Sequence, residues 1–150
     1  TNYFLIMKPQ AALIILYDSE KRFLLQHRTK DAERLPDYWA FFGGGIEKGE
    51  SPEEAIRREA FEELNYKLKF PQLAVEKKFE LDCIPGYMYV YIEEFNEVKS
   101  ALRLQEGQGW GWFKAEETDE LKMTDNDRDV VKSIAHYLKN TTNGYAINQK

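Results

Sequence analysis

Apolar residues fall into short runs on either side of a stretch of helical period, and a second helical stretch follows near the end of the sequence. Residues 11–17 (AALIILY) are a near-continuous apolar run closed by Asp18-Ser19-Glu20-Lys21, the pattern of a buried strand and a turn. Residues 23–28 (FLLQHR) supply its hairpin partner. A polar connection containing Pro36 covers 29–37, and Trp39-Ala40-Phe41-Phe42 reads as one short strand delivering the chain into Gly43-Gly44-Gly45. Between 67 and 81 the pattern predicts one or two strands, then a turn over 84–87 (IPGY) and a β-rich return over 88–92 (MYVYI). Residues 110–113 form another short strand and 115–121 an acidic helical stretch. Over 126–139, Val130, Val131, Ile134, Ala135 and Leu138 recur at helical spacing, with Asp125 or Asn126 available as the cap. Residues 141–150 are polar and expected to fray. Mixed strands wrapped by helices on both sides place the chain in the α/β class, as an α/β/α sandwich with a mixed β-sheet.

The central helix announces itself by its caps. Ser51 with Glu54 three residues later is a capping box, and Pro52 occupies the first helical position, where a missing N–H does no harm. At about 100° per residue, Ile56, Ala60, Leu64 and Phe61 share one arc, and Arg58, Glu59, Glu62 and Glu63 an adjacent one. Glu59, Glu62 and Glu63, at i, i+3 and i+4, bring three carboxylates onto one face. Like charges that close repel, and a hard divalent cation is the simplest compensation.

Length and charge narrow the chemistry. The 150 residues suit one domain, with a core over about 8–139 and a tail over 141–150. The net charge is −5, and between residues 47 and 63 seven acidic residues face three basic ones. A polyphosphate would be repelled by such a patch unless Mg²⁺ or Mn²⁺ intervened. With no basic stripe, nucleic-acid binding is disfavoured. Cys83, the only cysteine, excludes an intrachain disulfide and suits a reducing, cytoplasmic setting. No apolar run reaches membrane-span length, and residues 4–7 are too short for a signal-peptide core. Whether the chain forms a homodimer is left open by its sequence.

The stretch from Gly44 to Tyr66 resembles the Nudix hydrolase family, whose box reads G-x5-E-x7-R-E-U-x-E-E-x-G-U with U a bulky aliphatic. Gly44 matches the first glycine, and Glu50, Arg58, Glu59, Glu62 and Glu63 match every charged position, while Ala60, Asn65, which replaces the last glycine, and Tyr66 depart from it. Phe42 stands where many members carry Pro. Asn tolerates the left-handed conformation that closes a helix, so Asn65 keeps the C-cap. The resemblance implies the Nudix fold and attack of water on a phosphorus of a nucleoside diphosphate derivative, above all a (d)NTP or oxidised (d)NTP. Glu62 and Glu63 are then the direct ligands of Mg²⁺ or Mn²⁺, Glu59 a ligand or general base, Glu50 a ligand through water, and the Gly43 carbonyl a further donor. Arg58 holds Glu59 or Glu62 by a charge-assisted hydrogen bond.

The MutT-like subgroup places an added carboxylate where Glu106 stands, and either Glu106 or Glu59 is the base. Arg28 aligns with a phosphate-contacting arginine, and Asn126 falls near a purine-reading Asn but competes with a plain N-cap role. Phe41 and Trp39 are candidates to stack on a base. His27 and His136 lie outside ligand spacing, and Cys83 lacks the partners of a nucleophile. A catalytically silent nucleotide- or protein-binding module is the alternative, together with nucleotide-sugar or ADP-ribose hydrolysis.

Overall fold

The computed structural model describes residues 9–81, 83–105 and 107–143. Its central feature is β1 (Gln10–Tyr17), apolar from Ala11 onward because strands pair along both its edges and helices cover both its faces. On one edge β1 runs parallel to β6 (Ile84–Glu94), from Gln10 opposite Tyr87 to Tyr17 opposite Glu94. On the other edge it meets β2 (Phe23–His27) at Tyr17 opposite Phe23, and from there the two strands diverge. The wedge between them is filled twice: β3 (Trp39–Ala40) pairs with β2, and β4 (Phe42–Gly45) pairs with β1. β5 (Gln72–Leu81) flanks β6, and β7 (Gly109–Phe113) flanks β2, which completes a mixed seven-stranded sheet.

Two helices cover the sheet. α1 (Pro52–Leu64) lays Ala55, Ile56, Ala60 and Leu64 on Ala12, Ile14, Leu16, Leu24 and Phe42. α2 (Asp125–Asn143) lays Val130, Val131, Ile134 and Leu138 on Ile15, Phe23, Leu25, Val90 and Ile92. Alternate residues of β1 thus feed opposite layers, and the α/β/α sandwich expected from the pattern is the one observed. Fully burying an aliphatic side chain contributes roughly 1.5–3 kcal/mol, so these two layers supply most of the driving force. Phe61, expected on the packed arc of α1, is instead 48% exposed, with the Lys67 ammonium 6.0 Å from its ring centre. Among the described residues no helix is long and apolar enough to cross a membrane.

Three boundaries differ from those expected. The run 39–42 is two strands, because the chain steps across the wedge at Phe41; the buried Gln26 amide donates 2.9 Å to the Phe41 carbonyl and satisfies the group that the step leaves without a ladder partner. Residues 84–87 are strand, not turn: Phe79 pairs with Gly86 and Glu80 with Pro85, and the reversal passes through Cys83, whose φ is +65°. A Cβ on Gly86 would stand 2.6 Å from the Phe79 ring, so glycine serves close packing there. The stretch 115–121 is a 3-10 turn, Ala115–Glu120, too short for an α-helix. The expectation of one or two strands over 67–81 resolves to one, kinked between Leu73 and Val75.

Two buried carboxylates brace the connections. Glu93 accepts the N–H groups of Lys69 and Phe70 and the Tyr66 hydroxyl, which fixes the exit from α1. Asp18 closes the β1–β2 turn by accepting from the Glu20 and Arg22 N–H groups, the Arg22 guanidinium and the Lys99 ammonium at 2.7 Å. Desolvation alone would raise the Asp18 carboxyl, but these donors outweigh it and hold the group near pKa 2.

Candidate active site

The caps of α1 set its phase, and its phase sets the site. Ser51 and Glu54 exchange hydrogen bonds of 3.0 and 2.8 Å, and Asn65 adopts φ 54°, ψ 39° while its N–H closes on the Phe61 carbonyl. Each such cap is worth on the order of 1 kcal/mol, and together they fix which residues face β4.

Glu63, 4% exposed, accepts the Gly43 N–H at 2.7 Å. Gly43 has φ +137°, and a Cβ there would lie 2.8 Å from Leu13 Cα, so only glycine brings this amide to the helix. The sequence suggested the Gly43 carbonyl as a donor; in the structure it is the Gly43 N–H that ties β4 to Glu63. Gly44 is glycine for a different reason: a Cβ would stand 2.7 Å from Glu59 Oε1. Gly44→Ala therefore displaces the Glu59 carboxylate, the end of a flexible side chain, with little strain. The expected result is a rate about 10–100-fold lower at a nearly unchanged unfolding midpoint, checked by kinetics and calorimetry on the same preparation.

Arg58 is the hub of the acidic face. Its Nε and Nη2 clasp both oxygens of Glu50 at 2.7 and 2.9 Å, the bidentate arrangement that suits guanidinium and carboxylate. Its Nη1 lies 3.0 Å from Glu59, 3.4 Å from Glu62 and 3.8 Å from Glu47, and its Nη2 donates to the Gly45 carbonyl at 3.2 Å. The bonds to Arg58, joined by the Glu47 N–H, hold the Glu50 carboxyl down to a pKa of about 2, and Glu50 in turn raises that of Arg58. Glu59 and Glu62 share this guanidinium, which relieves part of the repulsion within the acidic face. Among the described residues no group of three or more acidic, His or Cys side chains converges as a cage. Mg²⁺ requires no cage, since it keeps several waters and binds through one or two carboxylates. The hard oxygen donors of Glu59, Glu62 and Glu63 fit such an ion, and the Glu62 side chain is 57% exposed.

The β4 glycines that touch the acids also line a cleft of about 280 Å³ on the sheet. Arg28, Phe41 and Asn126, chosen separately from the sequence, come together on its wall. Phe41 is 4% exposed and belongs mainly to the core under α2. Asn126 is not the N-cap: Thr124 takes that part, its hydroxyl accepting the Asp127 N–H at 3.1 Å, so the Asn126 amide is left to approach Met88 and Asp127. Trp39 stacks on His27 at 4.6 Å, which occupies a ring face proposed for a base. His136 meets Asn140 on the surface. Glu106 lies outside the described residues.

Asp127 was missed. It lines the same cleft, is 9% exposed, and burial pushes its carboxyl above the ordinary range. A signal existed, because Asp127 sits at helical spacing with Val130, Val131 and Ile134, an acid on an apolar arc. Arg34 and Leu35 also line the cleft, and nothing in the local pattern of 29–37 marks them.

Comparison with known proteins agrees with this geometry. A model of the NUDIX domain matches residues 7–134. The chain is similar to the nucleoside triphosphatase NudI of Escherichia coli, with 28% identity over 121 residues that cover 74% of this chain and 86% of that one. In fold it is like the MutT protein of Methanosarcina mazei Go1, at TM-score 0.75 and 21% identity over 88% of this chain and 97% of that chain. It is also like a C. elegans Ap4A hydrolase, at TM-score 0.73 and 20% identity over 87% and 98%. The domain match spans most of the chain and contains the Arg58 hub, the glycine strand and the cleft, so this chain belongs to the Nudix hydrolase family.

Proposed function

We propose that the chain is a Mg²⁺- or Mn²⁺-dependent pyrophosphohydrolase that splits a (d)NTP or oxidised (d)NTP into a nucleoside monophosphate and pyrophosphate. The observation that carries this reading is the double use of β4: Glu59 and Glu63 of α1 abut Gly44 and Gly43, and the same glycines line the cleft that holds Arg28, Phe41 and Asn126. A substrate in that cleft has its phosphates beside the acid face and its base toward Asn126 and Asp127.

The division of labour follows from the side chains. Arg28 supplies a cation for phosphate oxygens, Phe41 an apolar wall, and Asn126 an amide able to donate and accept at a base edge. Glu59, held by Arg58 and near Gly44, is a candidate to take the proton of the attacking water; Glu106 is the other. Glu62 and Glu63, with Glu59, would hold the metal, and Glu50 would support it through water. When bound, that ion neutralises charge developing on the phosphoryl oxygens. The Arg58 hub holds Glu50, Glu59 and Glu62, and the Gly43 N–H holds Glu63, so little reorganisation is needed at the moment of reaction.

A nucleotide panel tests the reading. Canonical and oxidised dNTPs, ADP-ribose, a dinucleoside polyphosphate and a nucleotide sugar are incubated with Mg²⁺, with Mn²⁺ and with chelator, and products are separated by chromatography. The expected result is metal-dependent release of monophosphate and pyrophosphate, fastest from a triphosphate. Faster cleavage of ADP-ribose or a nucleotide sugar would move the substrate class. No turnover of any of them would favour the binding-module alternative, which the engagement of Glu50, Glu59 and Glu62 by Arg58 makes specific.

A further inference from the structure

We infer that Gln108, acting with Asp37, is a clip that sets the aim of Arg28 into the cleft, and so is a positioning residue for substrate phosphate. The inference rests on the role proposed above for Arg28.

The segment 29–38 has a backbone that something must impose. Leu35 and Asp37 have φ of +48° and +65°, a region that side-chain-bearing residues keep only when their surroundings enforce it. Apolar packing does not do this. Arg34 and Pro36 are exposed, and a hollow of about 280 Å³ lined by Gln26, Arg28, Thr29, Ala32 and Gly107 lies beside the segment.

Hydrogen bonds from Gln108 do. Its side-chain amide donates 2.9 Å to Asp37 Oδ1 and 2.7 Å to the Arg28 carbonyl, and its N–H donates 2.8 Å to the His27 carbonyl. Asp37 Oδ1 is also 2.9 Å from His27 Nε2, and the Asp37 N–H donates 3.0 Å to the Thr29 carbonyl. Desolvation would raise the Asp37 carboxyl, but the bonds from Gln108 and His27 outweigh it and hold the group below its ordinary range. Gly107, with φ +86°, is what lets this bend before β7 approach: a Cβ there would stand 2.9 Å from the His27 carbonyl oxygen.

The segment so held presents the Arg34 carbonyl to Arg28 Nε at 2.8 Å. A guanidinium is planar, so a fixed Nε together with a fixed backbone leaves its Nη groups few orientations. Removing the Gln108 donors leaves the Asp37 carboxylate to His27 alone and loosens the loop and with it the Arg34 carbonyl; the path from the clip to substrate phosphate runs through Arg28.

The test uses the whole chain with dGTP and Mg²⁺. Gln108→Leu keeps bulk and removes both side-chain donors; Asp37→Ala breaks the same contact from the other side and serves if the first variant folds poorly. The expected result is a KM about tenfold higher with kcat within about twofold of wild type, and faster amide exchange over 29–38. Arg28→Ala is expected to raise KM at least as much, and the Gln108→Leu/Arg28→Ala pair to be no worse than Arg28→Ala, because both act through one guanidinium. Independent, multiplying effects would overturn the clip, as would a fall in kcat with KM unchanged. Arg28→Ala raising KM while both clip variants leave it unchanged overturns the clip and spares the reading of Arg28. No effect of Arg28→Ala, or no turnover of dGTP by wild type, overturns that reading and the clip with it.

Discussion

Glu62→Gln is expected to cut turnover by about 100-fold or more while moving the unfolding midpoint by no more than about 2 °C. The two halves of this expectation have separate causes. Glu62 stands at the solvent edge of the acidic face, its side chain 57% exposed, and its contact with Arg58, at 3.4 Å, is longer than those of Glu50 and Glu59. Little stability depends on it, and removing one negative charge eases the repulsion with Glu59 and Glu63. As a ligand it is another matter, since a neutral amide is a poor substitute for a carboxylate at a hard divalent ion. Kinetics at saturating Mg²⁺ and Mn²⁺, with calorimetry of metal uptake, decide it. A variant that turns over nucleotide like wild type removes Glu62 from the chemistry, and one that unfolds shows that the acid face serves the fold.

The second large effect is expected from Arg58→Met, which keeps the stem and deletes the charge. Glu47, Glu50, Glu59 and Glu62 then face one another without their shared cation. Both the rate and the midpoint should fall at neutral pH, the rate by about 100-fold through misplacement of Glu59. The pH dependence carries the diagnosis. In wild type the Glu50 carboxyl is held down from 4.5 to about 2 by Arg58. A depressed folded-state pKa contributes stability that is fully present above 4.5 and is lost as pH falls toward 2. The difference in midpoint between wild type and variant should therefore be largest near neutrality and close across that window. A difference that stays constant from pH 7 to pH 3 would assign the loss to packing of the Arg58 stem and not to its ion pairs.

Arg58 also marks where reading the chain stopped short. Its contact with Glu62 is legible in the sequence, because the i, i+4 relation follows from helical geometry. Its bidentate hold on Glu50 was not, since that pair spans eight residues and depends on how the loop 45–50 folds back along the helix. That guanidinium relieves part of the repulsion among the acids, and the case for the metal rests on the donor chemistry and the family.

What the sequence determined by itself is whatever neighbours in the chain settle among themselves. The Ser51–Glu54 box, Pro52 and Asn65 set α1 to within a residue; the apolar run 11–17 marked a buried strand and the period of 126–139 set which face of α2 packs; the order of the acids along α1 identified the family. Tertiary structure decided what depends on partners far along the chain. The split of residues 39–42 between two strands, the bond from Gly43 to Glu63 across 20 residues, and the contact of Gln108 with Asp37 across 71 residues are of this kind. The reason is physical. Local rules of capping and periodicity act over a few residues, whereas the energy of a buried polar contact depends on which distant group desolvates it and which pairs with it, and no local pattern encodes that.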